Sequence, residues 1–272
     1  MPARIEMSDL KKSIIKKWYD KLHFPKEYDA EFQEILERSE LGGITAIEEY
    51  EYDKDCGKNL CAYLYFCEAV SEKYKAHGIS EEILADTLSD IVVWTKIYYG
   101  MWGVVGFAEV NWIRRHLSFK LFKLGRLQFE MTEAEQDVDG FDTKKGEPIL
   151  AVHIPGVGPL IEADALASFD SAKEFFAKYF PAYAYKCFTC HSWLLDPTLK
   201  KYLSAGANIL RFAELFTPIA SDDSDELLKY IFRRDTKRES VAREVKPNAF
   251  AARIADAIAQ GETFHEVLGA RK

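Results

Sequence analysis

The sequence has no excess of positive charge: 44 acidic side chains stand against 36 basic ones, a formal net charge of −8. A nucleic-acid partner calls for a basic face, so this balance argues against one. No apolar run reaches the length needed to cross a bilayer. The most hydrophobic stretch, residues 91–110, is broken by Lys96, by Gly100, Gly103 and Gly106, and by Glu109. Residues 1–6 lack the apolar stretch of a secretion signal, and a cytoplasmic protein with no membrane partner is expected. The five cysteines, at 56, 61, 67, 187 and 190, are too few and odd in number for a disulfide scaffold; free thiols are expected. There is no internal repeat, no low-complexity tract, and neither a Walker loop nor a dinucleotide fingerprint.

Apolar residues make up 48% of the chain and aromatics 14%, which points to a well-packed globular protein. With 272 residues there is room for one large core or two ordinary domains. The first third reads as helices over 8–21, 28–36, 59–75 and 81–98. Ser8 and Ser80 are placed to cap the first and last of these. Residues 44–58 read as a surface helix or loop. The segment 98–112 is rich in aromatics (Tyr98, Tyr99, Met101, Trp102, Phe107 and Trp112) and is expected in a helical core or at a seam between domains, rather than as a ligand cage. Arg114-Arg115-His116 reads as a solvated helix end that complements the helix dipole, with a phosphate or carboxylate contact as the alternative.

Near Phe122 the period changes from helical to alternating. Arg126, Gln128 and Glu130 alternate with Leu127, Phe129 and Met131, a strand over 124–131 with one polar face. Residues 149–154 make a second strand. It must stop at Pro155-Gly156-Val157-Gly158-Pro159, because proline offers no N–H to a ladder. That loop is either a plain turn or a nest whose amides at Gly156, Val157 and Gly158 hold phosphate. Ser171 with Glu174 matches a capping box, so the next helix is expected to open there and end before Pro181. Residues 183–195 read as a third strand, and a helix follows Pro197. A short strand over 216–220 and helices at 225–232 and after Asn248 complete the chain. Cys187-X-X-Cys190-His191 suggests a metal or redox pair. In a strand, however, the two thiols face opposite ways and no second pair of ligands lies nearby, so no metal is expected.

Three segments resemble bacterial acyltransferase-domain proteins that have a helical N-acyltransferase N-terminal domain and a GNAT-like C-terminal domain. These are Phe122-Lys123-Leu124-Gly125-Arg126-Leu127-Gln128-Phe129, His153-Ile154-Pro155-Gly156-Val157-Gly158-Pro159-Leu160 and Cys190-His191-Ser192-Trp193-Leu194-Leu195. The first part is similar too, notably Gly78-Ile79-Ser80 and Asp86-Thr87-Leu88. The resemblance implies an α/β (α+β) protein, with a helical domain over 1–120 and a mixed sheet flanked by helices over 121–272. It implies acetyl-CoA or another acyl-CoA as co-substrate and a small-molecule amine as acceptor. Two strands would splay to admit the pantetheine arm, and a turn with the next helix N-terminus would receive the pyrophosphate. The Gln/Arg-X-X-Gly-X-Gly/Ala run usual at that turn is missing here, and residues 160–170 are expected to separate the loop from the helix.

On this pattern Glu130 and His153 are the candidate bases, Tyr202 the acid for the departing thiolate, and Gly156, Val157, Gly158 and Ser192 the groups that contact the cofactor. Cys190 is a further hydrogen-bonding candidate. The second class of function is a non-catalytic module that binds acyl-CoA or another small molecule. The third is a structural partner protein that uses the aromatic segment as an interface. A homo-oligomer is compatible with all three.

Overall fold

The computed structural model describes residues 7–272. Helix α1 (Asp9–Lys21) starts where the Ser8 hydroxyl accepts from the Lys11 N–H, and it buries Ile15, Trp18 and Tyr19. Helix α2 (Asp29–Arg38) turns Phe32, Ile35 and Leu36 inward. Helix α3 (Cys56–Ala76), capped by the Asp55 carboxylate, is the hub of the helical part. It packs against α1, α2, α4 (Glu81–Trp102) and α5 (Val110–Leu117). Its apolar residues accordingly go nearly all round instead of forming one stripe. Ser80 caps α4 as expected, but the helix runs on to Trp102, where Gly103 takes the left-handed conformation at φ 65° and stops it. Gly106 passes so close to α3 that a side chain there would lie 2.4 Å from the Cys56 backbone carbonyl.

The rest of the chain builds a six-stranded mixed sheet in the order β1-β2-β3-β4-β6-β5. The strands are β1 (Leu121–Leu124), β2 (Leu127–Glu133), β3 (Pro148–His153), β4 (Phe188–Ser192), β5 (Thr217–Asp223) and β6 (His265–Arg271). Every neighbouring pair is antiparallel except β3 and β4, which run parallel and are joined through α6 (Glu162–Tyr179). This is the helical part followed by a helix-flanked mixed sheet that the resemblance implied.

Several boundaries differ from the sequence reading. The strand expected over 124–131 is a hairpin: Gly125, at φ +72°, turns the chain between β1 and β2, and a side chain there would meet the Ser168 hydroxyl at 2.9 Å. Helix α6 opens at Glu162, right after the proline-glycine loop, and Ser171 and Glu174 lie exposed in mid-helix. The capping signal there lost to the apolar face of Ala165, Phe169, Ala172, Phe175 and Phe176, which needs the longer helix to cover the sheet. The third strand is shorter than 183–195, because Ser192 caps a 3-10 turn over Trp193–Leu195 and Tyr183 instead donates its hydroxyl to the Thr132 and Ile149 carbonyls. The helix expected after Pro197 is split into a 3-10 turn (Pro197–Lys201) and α7 (Asn208–Ala213). Helices α8 (Glu226–Ile231) and α9 (Ala249–Ala259) fall where expected, and Asn248 caps the latter.

One apolar cluster runs from Ile15 and Trp18 through α3 and α4 to Phe122, Phe129, Phe169 and Phe188, so the helical part and the sheet share a core. The Lys123 N–H donates to the Thr87 hydroxyl across this seam at 2.9 Å. A smaller cluster of Leu199, Leu227, Leu228, Ile254 and Phe264 holds α8 and α9 together.

Candidate active site

The parallel pair β3–β4 is registered over only two positions, Leu150 with Phe188 and Ala151 with Thr189. Beyond them each strand continues, β3 to His153 and β4 to Ser192, but they no longer pair with each other. β4 instead stays paired with β6 along its whole length. The facing ends of the two strands have no ladder between them and are the walls of a notch in the pairing, with backbone groups turned into it. His153 stands at the end of one wall. His191, exposed, and Ser192, half-buried, stand at the end of the other.

The register of β2 on β3 pairs Gln128 with His153 and Glu130 with Ala151. Alternation puts Gln128 and Glu130 on one face, and Glu130 becomes the diagonal neighbour of His153. The Glu130 Oε2 atom lies 2.8 Å from His153 Nε2. The Arg115 guanidinium donates to the same oxygen at 2.9 Å. Burial alone would push the Glu130 carboxyl up, but His153 and Arg115 outweigh it and hold the group below the usual carboxylate range. An ionised carboxylate only accepts, so a neutral His153 carries its hydrogen on Nε2 and presents Nδ1 as the free lone pair. The two expected bases are thus one unit: a carboxylate that orients an imidazole.

Helix α5 covers this face of the sheet. Trp112 stands edge-on to His153, ring centroids 4.9 Å apart at 72°, and Arg115 follows one turn later. His116, a further position on, is fully buried. The helix end expected to be solvated at Arg114-Arg115-His116 keeps Arg115 exposed but buries His116, and the carboxylate that Arg115 contacts belongs to the protein itself. His116 Nε2 lies 3.2 Å from Asp90 Oδ2 and 3.1 Å from Gln128 Nε2. The same Asp90 oxygen accepts from the indoles of Trp112 at 2.7 Å and Trp94 at 3.2 Å. Burial would raise the Asp90 carboxyl, yet His116 and the two indoles hold it below its ordinary value. The polar face of β2 is not solvated either, since Gln128 has no exposed surface.

In the loop after β3, Gly156, Val157 and Gly158 are exposed, and Gly158 sits at φ +70°. Arg126, from the β1–β2 turn, donates from Nε to the Pro159 carbonyl at 2.9 Å and from Nη1 to the Pro155 carbonyl at 3.0 Å. Its Nη2 reaches the Gly158 carbonyl at 3.3 Å. Within a trans peptide the N–H points opposite to the C=O, so the Gly156 and Leu160 amides are turned away from Arg126. Helix α6 follows directly, and no side chain caps its first N–H groups. Glu162 and Asp164 occupy its first turn and already complement its dipole.

The remaining candidates lie apart from the Glu130–His153 pair. Tyr202 sits with the smaller apolar cluster and donates its hydroxyl to Glu262 at 2.7 Å. Burial, with Glu262 adding to it, pushes the phenol up to about 12. The Ser192 hydroxyl accepts from the Leu194 N–H at 3.2 Å and keeps its own hydrogen to donate. Cys190 is 1% exposed and burial raises its thiol to about 12, so it reaches no ligand and makes a poor nucleophile. All five cysteines are free and buried. Among the described residues, no three His, Cys, Asp or Glu side chains converge as a metal site. In the aromatic segment Phe107 is buried, Tyr99 and Trp112 are half-buried, and Trp102 is exposed, which gives no continuous aromatic patch. The sequence reading gave no site role to Asp90 or Arg126 and held a carboxylate contact for Arg115 and His116 only as the alternative, because each works through partners distant in the chain. Only the arginine next to a turn glycine carried a local signal.

The sequence matches the GNAT-like C-terminal domain family over residues 121–270 and the N-acyltransferase N-terminal domain over residues 21–119. The chain belongs to this acyltransferase family. No curated protein sequence matches it. Among solved structures, an acyltransferase in complex with decanoyl-CoA and teicoplanin superposes with a TM-score of 0.78 at 22% identity, over 95% of this chain and 87% of the other. An acyltransferase with CoA and 10C-teicoplanin gives 0.79 at 21%, and one with decanoyl-CoA gives 0.77 at 21%; each covers 100% of this chain and 90% of its own. These likenesses are of fold. No helix among the described residues is long and apolar enough to cross a membrane.

Proposed function

We propose that this chain transfers an acyl group from acyl-CoA to the amine of a small molecule, at the notch between β3 and β4. The observation that carries this is the two-position β3–β4 ladder, with an oriented imidazole standing where it ends. An extended pantetheine arm, itself rich in amide groups, suits a cleft walled by strand backbone. The loop at Gly156, Val157 and Gly158 lies at the same end, and α6 starts immediately after it. The pyrophosphate is therefore assigned to the loop amides and the uncapped N–H groups of α6. Ser192, on the other wall, donates to the pantetheine.

In the reaction, His153 Nδ1 takes a proton from the acceptor ammonium. The freed nitrogen attacks the thioester carbonyl, and the tetrahedral intermediate collapses with cleavage of the C–S bond. Glu130 holds the imidazole in orientation and stabilises its protonated form, as a carboxylate does in a triad. The oxyanion donor is a backbone N–H of the notch. Leu150 donates to the Cys187 carbonyl at 3.1 Å, so the odd-numbered residues of β4 face β3, and the His191 amide is the first beyond the ladder. The thiolate leaves with a proton, for which Tyr202 is the candidate, and the attacking nitrogen gives up its second proton to restore the phenol as the amide forms. Medium-chain donors come first, because the similar structures hold decanoyl-CoA, and teicoplanin is the first acceptor to try.

Calorimetry with acetyl-, octanoyl- and decanoyl-CoA, followed by free-thiol release across a panel of amines, tests this. Saturable binding with acceptor-dependent thiol release is expected. Binding without release across the panel would make the chain a non-catalytic acyl-CoA module, and no binding at all would end both readings.

A further inference from the structure

We propose that Asp90 is a positioning residue for the Glu130–His153 pair, acting through Trp112; this rests on the acyltransferase reading of that pair. One carboxylate oxygen of Asp90 accepts from the Trp112 and Trp94 indoles, and His116 Nε2 lies 3.2 Å from it, so it fixes α5 against α4 from inside the seam. The residues fixed in this way are the ones that hold the pair. Trp112 abuts the His153 ring. Arg115, on the same helix face, lies over the Trp112 ring at 5.7 Å and reaches Glu130 at 2.9 Å. Among the described residues, His153 has a hydrogen-bonding partner on one side only, Glu130 Oε2. The Trp112 edge therefore decides which way the opposite edge of the imidazole faces. A carboxylate that accepts two indole hydrogen bonds on one buried oxygen is also hard to replace: an amide in the same place must turn either a donor or a single weaker acceptor toward the two N–H groups. Asp90 touches neither substrate nor the reacting atoms.

The test uses the full-length chain with Asp90→Asn, Trp112→Phe and the double variant. Misplacing a catalytic group by about an ångström costs on the order of 10²-fold in rate. Each single variant is accordingly expected to lose about ten- to a hundredfold in kcat, with KM for acyl-CoA changed by less than about twofold. Because both act along one route, the double variant should be no slower than Asp90→Asn alone. In proton spectra, the ring-current displacement of the His153 Hε1 resonance by Trp112 should change in Asp90→Asn. Retention of wild-type kcat in either single variant overturns the proposal. So do losses that multiply in the double variant, or a proportional change in kcat and KM with the His153 resonance unmoved. If the wild-type chain shows no turnover, the transfer reading fails, and the His153 resonance alone decides the positioning claim: shifted in Asp90→Asn it stands, unshifted it falls.

Discussion

Two carboxylate–histidine pairs meet the Trp112 ring through their histidines. In the outer pair, the Glu130 and His153 side chains are 14% and 23% exposed. In the inner pair, Asp90 and His116 are 5% and 0% exposed. Both carboxyls are held below their ordinary values, and both histidines contact Trp112, so residue type does not distinguish the pairs. Access does. The outer imidazole stands at the end of an open strand pair with one nitrogen uncommitted. The inner one is enclosed by α4, α5 and β2, with Nδ1 against the Trp112 carbonyl and Nε2 between Asp90 and Gln128. Chemistry needs a group that can give and take a proton with a ligand, so the sealed pair is assigned to architecture and the open one to turnover.

The sharpest way to break that division is to delete each histidine. His153→Ala should lower kcat by about 10²- to 10⁴-fold, the usual span for a general base, while its unfolding midpoint in urea moves little. His116→Ala should do the reverse in kind. It leaves a buried carboxylate without its histidine, at a cost on the order of 3 kcal/mol in urea unfolding. If His116→Ala abolishes turnover at unchanged stability, the assignment is inverted.

Glu130→Gln keeps the shape and removes the charge, so a smaller fall in kcat, about tenfold, is expected, with binding of acyl-CoA intact by calorimetry. The same variant reads the pH dependence. Glu130 and Asp90 have folded values below the unfolded carboxyl pKa of about 4, so each contributes stability in full above that pH. That contribution is lost as pH falls through their depressed folded values. Urea midpoints measured from pH 7 down to about pH 3 should fall on the acid side, less steeply in Glu130→Gln than in wild type.

The smallest effect is expected in the loop. Gly158→Ala places a side chain at φ +70°, a strain of about 1 kcal/mol. KM for acyl-CoA should rise a fewfold with kcat unchanged. An unchanged KM would remove the loop from the cofactor site.

Much of the framework was legible along the chain. Ser8, Ser80 and Asn248 announced helix starts because a cap is a bond between near neighbours. The alternation at Gln128 and Glu130 announced a strand, and Pro155 its neighbour's end. What failed was also local in cause. The capping box at Ser171 was overruled by the apolar face, Ala165 to Phe176, of a helix eighteen residues long, and β6 was missed because Gly269 sits in it, where Leu195 and Phe216 pack so closely that no side chain fits. For the site, Glu130 and His153 were each picked out as candidates. Their union was not, since it depends on a register between strands separated by an acidic loop. Asp90 gave no signal, and His116 only as part of a charged run read first as a solvated helix end, as nothing in a single chain says which side chains a distant helix will cover.

By itself, the sequence settled the period of each segment, the places where proline and glycine must break it, and the balance of charge, because these follow from bonds and sterics among residues close in the chain. Only the tertiary structure decided that the β3–β4 ladder stops after two positions, that Glu130 falls diagonally against His153, and that His116 turns inward while the exposed Arg115 reaches Glu130. Those outcomes depend on which surfaces meet when the helical part docks on the sheet, and burial there is what makes one carboxylate–histidine pair a fixture and leaves the other open.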